Sequence, residues 1–216
     1  MDSVLITGGT GFVGSWMEKT QPDNVSGYYF NHRGEVKGDY DLVVPKYIVC
    51  LAPIDPIDEI YLAQEMGARL LYCSSGAVYH PEYQDKEYRD NKIKWEQECL
   101  DSGVDVVIAR LFTFARSSKA YNAIFGCVRA GHKPTVSREC VRSFMYPREM
   151  ARWMWAILLR GESGQAYDVG SDRVTSMVDL ALRIHKFTGC SSMVSHEPVP
   201  MPHYLPPDTA KTRALL

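Results

Sequence analysis

The chain has 216 residues, enough for one well-buried domain or a large domain with a small lobe. Its formal net charge is −2 with 23% charged residues, which gives neither an electrostatic footprint for nucleic acid nor a polybasic patch for a membrane surface. The six cysteines (Cys50, Cys73, Cys99, Cys127, Cys140 and Cys190) lie at least thirteen residues apart with no C-x-x-C pair, and the histidines lack metal-ligand spacing. Free thiols and no metal site are therefore expected. No charged-then-apolar leader precedes the first strand and no apolar run approaches membrane-spanning length, the pattern of a cytoplasmic, reduced protein.

In chain order, SVLIT (3–7) reads as a short buried strand, followed at once by GGTGFVG (8–14). VSGYYF (25–30) and YIVCLA (47–52) read as further strands, the second bounded by Pro45 and Pro53. IDEIYLAQEMG (57–67) predicts a helix stopped by Gly67, and RLLYCS (69–74) another strand. YRDNKIKWEQECLDSG (88–103) is helical with Gly103 as its stop, and DVVIARLF (105–112) is a continuous run of the kind buried on both faces. Beyond 112 the pattern loosens into Gly/Pro-punctuated segments, with a helix at 148–161, a strand at 166–170 and a helix at 176–188. Five prolines between Pro198 and Pro207 predict an extended tail. Strands alternating with helices imply an α/β fold, a Rossmann-type doubly wound parallel sheet. The division expected is a dinucleotide-binding core over 1–111 and a small C-terminal substrate-binding lobe over 112–216, with 140–170 returning to the core.

Within this frame, Gly8, Gly11 and Gly14 fit G-x-x-G-x-x-G, and Gly9, Gly11 and Gly14 fit G-x-G-x-x-G. Early glycines permit a tight turn and close approach of a pyrophosphate to the backbone. The last lets the helix pack on the strand, and that helix's N-terminus attracts the phosphate charge. The motif directly follows a strand and opens a helix, the context it requires. A second constellation is LLYCSSGAVYH (70–80), whose strand ends at Ser74 and Ser75, in the crevice where open parallel sheets bind ligands. Tyr88 and Lys92 follow Ser75 by thirteen and seventeen residues, and their i, i+4 spacing puts them on one helix face. Alone the pair is more often solvated surface than chemistry. A hydroxyl, a phenol and an ammonium converging on a dinucleotide form a coherent proton-transfer set.

TGGTGFVG, YIVCLAP, LLYCSSGAVY, YRDNK and RLF resemble, in order, blocks of the extended short-chain dehydrogenase/reductase family, in its nucleotide-sugar epimerase/dehydratase branch. RSFMYPREMAR (142–152), AYDVGS (166–171) and YLPPDTAKTRALL (204–216) continue the resemblance, with Glu149 where Asp is usual and Asp168 where Asn is usual. The resemblance implies Ser75, Tyr88 and Lys92 as catalytic residues: Tyr88 the acid/base, Ser75 a hydrogen-bond partner of the reacting oxygen, Lys92 the holder of the nicotinamide ribose. It implies cofactor contacts at Gly8, Gly11, Phe12, Val13, Gly14, Asn31, His32, Arg33, Leu51, Ala52, Tyr88 and Lys92, and substrate contacts at Ser75, Thr113 and Arg142. Asn31-His32-Arg33 stands where an acid would bind the ribose of NAD; the cofactor expected is NAD or NADP, with Arg33 at a 2′-phosphate favouring NADP and a solvated loop Arg33 as the alternative. The partner implied is a nucleotide-sugar small molecule, with neither nucleic acid nor membrane.

The departures are as informative. One strand–helix unit is expected to be missing between VSGYYF and YIVCLA, and the stretch from Pro53 to Arg69 is short for the family. Thr113 replaces the usual Asn after RLF. The family's dehydratases usually carry an Asp-Glu pair after the catalytic Ser/Thr, where this chain has Gly76 and Ala77. The function implied is an NAD(P)-dependent epimerase or reductase on a nucleotide-activated sugar. The alternative is a non-catalytic dinucleotide-binding sensor or scaffold, against which the intact Ser75/Tyr88/Lys92 set speaks. The resemblance also implies a homodimer through the helix bearing Tyr88 and the one before it, with Ile93, Trp95 and Cys99 offered to pack and a monomer as the alternative.

Overall fold

The computed structural model describes residues 1–30, 44–52, 54–81, 85–114, 119–132, 134–137, 140–189, 195–197 and 205–216. Its first half runs β1 (Asp2–Thr7), α1 (Phe12–Lys19), β2 (Val25–Tyr29), β3 (Tyr47–Cys50), α2 (Ile57–Met66), β4 (Arg69–Ser75), a 3-10 turn (Gly76–Tyr79), α3 (Lys86–Asp101) and β5 (Val106–Leu111). The second half runs β6 (Thr113–Phe114), α4 (Lys119–Arg129), β7 (Thr135–Ser137), β8 (Val141–Met145), α5 (Pro147–Arg160), β9 (Gln165–Val169), β10 (Val174–Ser176), α6 (Met177–Thr188), β11 (Ser195–Glu197) and α7 (Ala210–Arg213). Six strands form one parallel sheet in the order β2-β1-β3-β4-β5-β9. The expected doubly wound α/β sheet is thus present.

The order of strands follows from where the apolar side chains go. Along β4, Leu70 and Tyr72 pack with Ile48, Ile60, Cys99 and Ile108 on the face covered by α2 and α3. Leu71 and Cys73 alternate to the other face, against Val49, Met17, Trp153 and Met154 from α1 and α5. Strands buried on both faces need an apolar residue at every position, which is why their sequences read as unbroken runs. α5 buries nine of its residues, and its Trp155 indole donates to the Met17 carbonyl at 3.1 Å, locking it against α1. A separate apolar cluster of Ile124, Val128, Val136, Met177, Leu180 and Ile184 sits under the smaller sheets β10-β8-β6 and β11-β7.

Most expected elements lie within a residue or two of their sequence boundaries. The helix expected from 88 starts instead at Lys86, because the Asp85 carboxylate accepts the Tyr88 amide at 3.0 Å and caps it. The region after 112 holds more structure than its pattern suggests: α4, β6, β7 and β8 are too short or too interrupted to show a period. Trp95 and Cys99, expected at an interface, are instead spent on the chain's own core, because they lie on the α3 face turned to the sheet; Ile93 is 43% exposed. The five described cysteines are free, four of them buried. The expected missing unit and most of the proline-rich tail fall outside the described residues. Among the described residues no helix is long and apolar enough to cross a membrane.

Candidate active site

β1 lies between β2 and β3, so the chain reverses its direction of travel across the sheet there, and a crevice opens above the carboxyl ends of β1 and β3. The glycine turn fills that crevice's floor. Gly8 has φ +69, and a Cβ on it would lie 3.1 Å from the Ala52 nitrogen and 3.3 Å from Leu51 carbons. Gly14 has no room at all: its Cβ would stand 2.1 Å from the Gly9 carbonyl oxygen. Gly11 begins α1 without a side-chain cap, and no acidic residue occupies the first turn, so the helix's own first turn leaves its positive end uncompensated. A bare backbone cradle at a helix N-terminus fits the pyrophosphate of a dinucleotide. Phe12, half-exposed, and Val13, packed on the core, begin that helix, and the Leu51 amide bonds the Thr7 carbonyl at 3.1 Å. The structure therefore gathers Gly8, Gly11, Phe12, Val13, Gly14, Leu51 and Ala52 in one place. Asn31, His32 and Arg33 lie outside the described residues.

Two strands over, β4 ends at Ser75, whose hydroxyl accepts the Ala77 amide at 3.2 Å and caps the 3-10 turn. α3 packs against β4 and that turn. Lys92 points from α3 into the sheet and is 3% exposed. Its ammonium donates to the Cys73 carbonyl at 2.9 Å and the Tyr72 hydroxyl at 3.1 Å, and lies 4.9 Å from the Tyr72 ring centre, 5.5 Å from Trp95 and 6.0 Å from Tyr88. Burial pushes the Lys92 pKa below its ordinary 10.5, opposed by nearby Cys73, Cys50 and Glu96. Lys92 thus ties the helix face of half-buried Tyr88 to a carbonyl two residues before Ser75.

Thr113 opens β6 just beyond the end of β5 and pairs with Phe144 of β8; Arg142 lies two residues earlier on β8 and donates to the Val141 carbonyl at 2.8 Å. Both sit in the three-stranded sheet beside the carboxyl edge of the main one. Sequence reasoning missed several groups here. Tyr72 holds Lys92, and the only sign was its alternation with Leu70 and Ser74. Glu59, 6% exposed on the first turn of α2, accepts the Thr7 hydroxyl at 2.6 Å. Glu96, Arg110, Tyr79 and Asp168 form a part-buried polar chain joining α3 to β5, the 3-10 turn and β9. Their partners are far apart in sequence, and no local pattern reveals them.

No family model matches the chain. It is 25% identical to UDP-glucuronic acid decarboxylase 1 of Xenopus tropicalis, over 99% of this chain and 67% of that protein. Among solved structures it is similar to dTDP-glucose 4,6-dehydratase of Bacillus anthracis in complex with NAD (TM-score 0.79, 15% identity, 99% of this chain and 90% of that one). It is also similar to a UDP-N-acetylglucosamine 4-epimerase of Methanobrevibacter ruminantium (TM-score 0.77, 15% identity, 99% and 91%). A third is a hypothetical dTDP-4-dehydrorhamnose reductase of Sulfolobus tokodaii (TM-score 0.77, 16% identity, 100% and 95%). The chain therefore shares the α/β fold of these solved structures.

Proposed function

We propose that the chain is a nicotinamide-dinucleotide-dependent enzyme acting on a nucleotide-activated sugar, as an epimerase or a reductase. The observation that carries this reading is Lys92, an ammonium 3% exposed, one helical turn from Tyr88 and bonded to the strand that ends in Ser75. Burying an ammonium is costly, and such groups concentrate where chemistry uses them. Relatives of the same fold named for NAD, UDP-sugars and dTDP-sugars support the choice of cofactor and substrate class.

Bound above the glycine turn, a nicotinamide supplies the acceptor and donor of a hydride. Tyr88 takes the proton from the sugar hydroxyl as its carbon is oxidised, and returns it on reduction. A free phenol has a pKa near 10 and needs a nearby cation to do this at neutral pH; Lys92 is that cation and also meets the ribose. The Ser75 hydroxyl holds the reacting oxygen, Arg142 meets the diphosphate, and Thr113 borders the sugar. Gly76 and Ala77, both buried, carry no group that transfers protons. Elimination of water therefore lacks an acid/base pair at that point, which favours epimerase or reductase chemistry although a dehydratase shares the fold.

The test is to incubate the protein with UDP- and dTDP-hexoses and oxidised or deuterated reduced cofactor, following reduced nicotinamide and transfer of label to sugar. Turnover with at least one sugar nucleotide is expected, without a 4-keto-6-deoxy product. Failure of every sugar nucleotide to exchange hydride would refute the reading. Competitive titration of NAD against NADP tests the role of Arg33: tighter NADP binding supports it, and equal or tighter NAD binding removes it.

A further inference from the structure

We propose that Tyr79 and Asp168 are positioning residues that hold the turn capped by Ser75 in register with the helix bearing Tyr88 and Lys92. This inference rests on the reading of those three as the reacting set. A continuous chain of hydrogen bonds makes the connection. Glu96 lies one helical turn past Lys92, 6% exposed. Arg110 of β5 donates to both oxygens of Glu96, most closely from Nη2 to Oε2 at 2.6 Å. Its Nη1 donates to the Tyr79 hydroxyl at 2.7 Å, and that hydroxyl donates to Asp168 Oδ1 at 2.9 Å. Asp168 Oδ2 accepts the Asp208 amide at 2.9 Å, and the Thr212 hydroxyl donates to the Asp168 carbonyl at 2.7 Å.

Two features make this a brace for Ser75 rather than general packing. Ser75 caps a 3-10 turn of four residues, and Tyr79 is its last. Such a turn has poor hydrogen-bond geometry and little stability of its own, so its far end must be held from outside. Tyr79 is that anchor: its ring stacks on Phe112 at 6.2 Å and its hydroxyl is gripped between Arg110 and Asp168. Moreover, the other end of the chain is Glu96 on α3 itself. The separation between Ser75 and the Tyr88/Lys92 face is thereby set through protein atoms, before any ligand enters. Arg110 and Asp168 are directly paired across β5 and β9, so the sheet register aims both side chains to the same face. Asp168 is also suited to the task chemically. A carboxylate accepts from both Tyr79 and the Asp208 amide, whereas Asn, usual at this place in the resembling family, has one acceptor oxygen for two donors.

The experiment compares wild type, Tyr79→Phe and Asp168→Asn by backbone hydrogen exchange without ligands, and then by kinetics. Tyr79→Phe keeps the ring on Phe112 and deletes only the hydroxyl. Exchange over 76–80 is expected to speed up by about ten- to a hundredfold, the worth of one hydrogen bond to charged partners. Exchange over 47–50 and 150–158 should stay at wild-type rates. Asp168→Asn should release 208–213 in addition. In Tyr79→Phe the kcat is expected to fall about tenfold while KM and dinucleotide affinity stay unchanged, a split that a loss of stability alone does not give. Wild-type exchange over 76–80 in both variants, or uniformly faster exchange across the molecule, would overturn the brace. Local loosening with an unchanged kcat would overturn its role in positioning Ser75. If wild type transfers no hydride to any sugar nucleotide, the reading of the reacting set fails, while the exchange arm still decides whether the brace exists.

Discussion

Tyr88 and Lys92 stand one helical turn apart, and the two differ in what they lose when changed. Tyr88 is half-buried, so Tyr88→Phe removes a hydroxyl and little packing. Turnover should fall by roughly 10²–10⁴-fold, the usual worth of a positioned acid/base, with cofactor affinity unchanged. Lys92→Met should lower both rate and affinity, measured by turnover and by fluorescence titration with dinucleotide. The pH dependence of that affinity carries a sign. Burial places the Lys92 pKa below 10.5, so dinucleotide binding should weaken as pH rises through that lowered value and recover below it. The alkaline limb should be absent in Lys92→Met. Near-silent behaviour of both variants would leave Lys92 a buried tie between α3 and β4 and remove the pair from the chemistry.

At the scale of elements, the first strand–turn–helix depends on a side chain that must not exist. A Cβ on Gly14 would meet the Gly9 backbone at 2.1 Å, and none of the atoms met there is a flexible side-chain end that could yield. Gly14→Ala should destabilise by about 1–3 kcal/mol or more through overpacking, read as a lowered urea midpoint, and should weaken dinucleotide binding with it. Gly67→Ala is the contrast: Gly67 ends α2 at φ +62 with open space around its Cβ, so only the backbone conformation is strained, by roughly 1–2 kcal/mol, with binding unchanged. The helix bearing Tyr88 depends on Asp85, which the sequence pattern did not single out because the reading began the helix at Tyr88. Asp85→Ala should cost about 1 kcal/mol, measured by chemical denaturation, and should fray the turn that presents Tyr88.

For the whole molecule, α2 and α3 cover one face of the sheet and leave Ile57, Tyr61, Ile93 and Leu100 exposed by 40% or more. Association through this face is the expected outcome, with light scattering giving twice the 24.4 kDa of the chain at micromolar concentration. Tyr61→Asp with Ile93→Asp should return the single-chain mass, and a wild type that is already monomeric would remove the dimer. The parallel sheet and the glycine turn were legible in sequence, because both are largely local: an unbroken apolar run needs only its own residues, and Gly11 and Gly14 answer to backbone within the turn, while Gly8 answers to its own φ of +69 and also to Leu51 and Ala52. The i, i+4 phase of Tyr88 and Lys92 was equally local. What they face was not. That Lys92 reaches the Cys73 carbonyl, that Trp95 and Cys99 turn inward, and that Tyr79, Arg110 and Asp168 meet depend on β4, β5 and β9 lying side by side in register. Burial and hydrogen bonding such as that between Tyr79 and Asp168, eighty-nine residues apart, arise only when the sheet closes the segments together, so periodicity along the chain carries no trace of them.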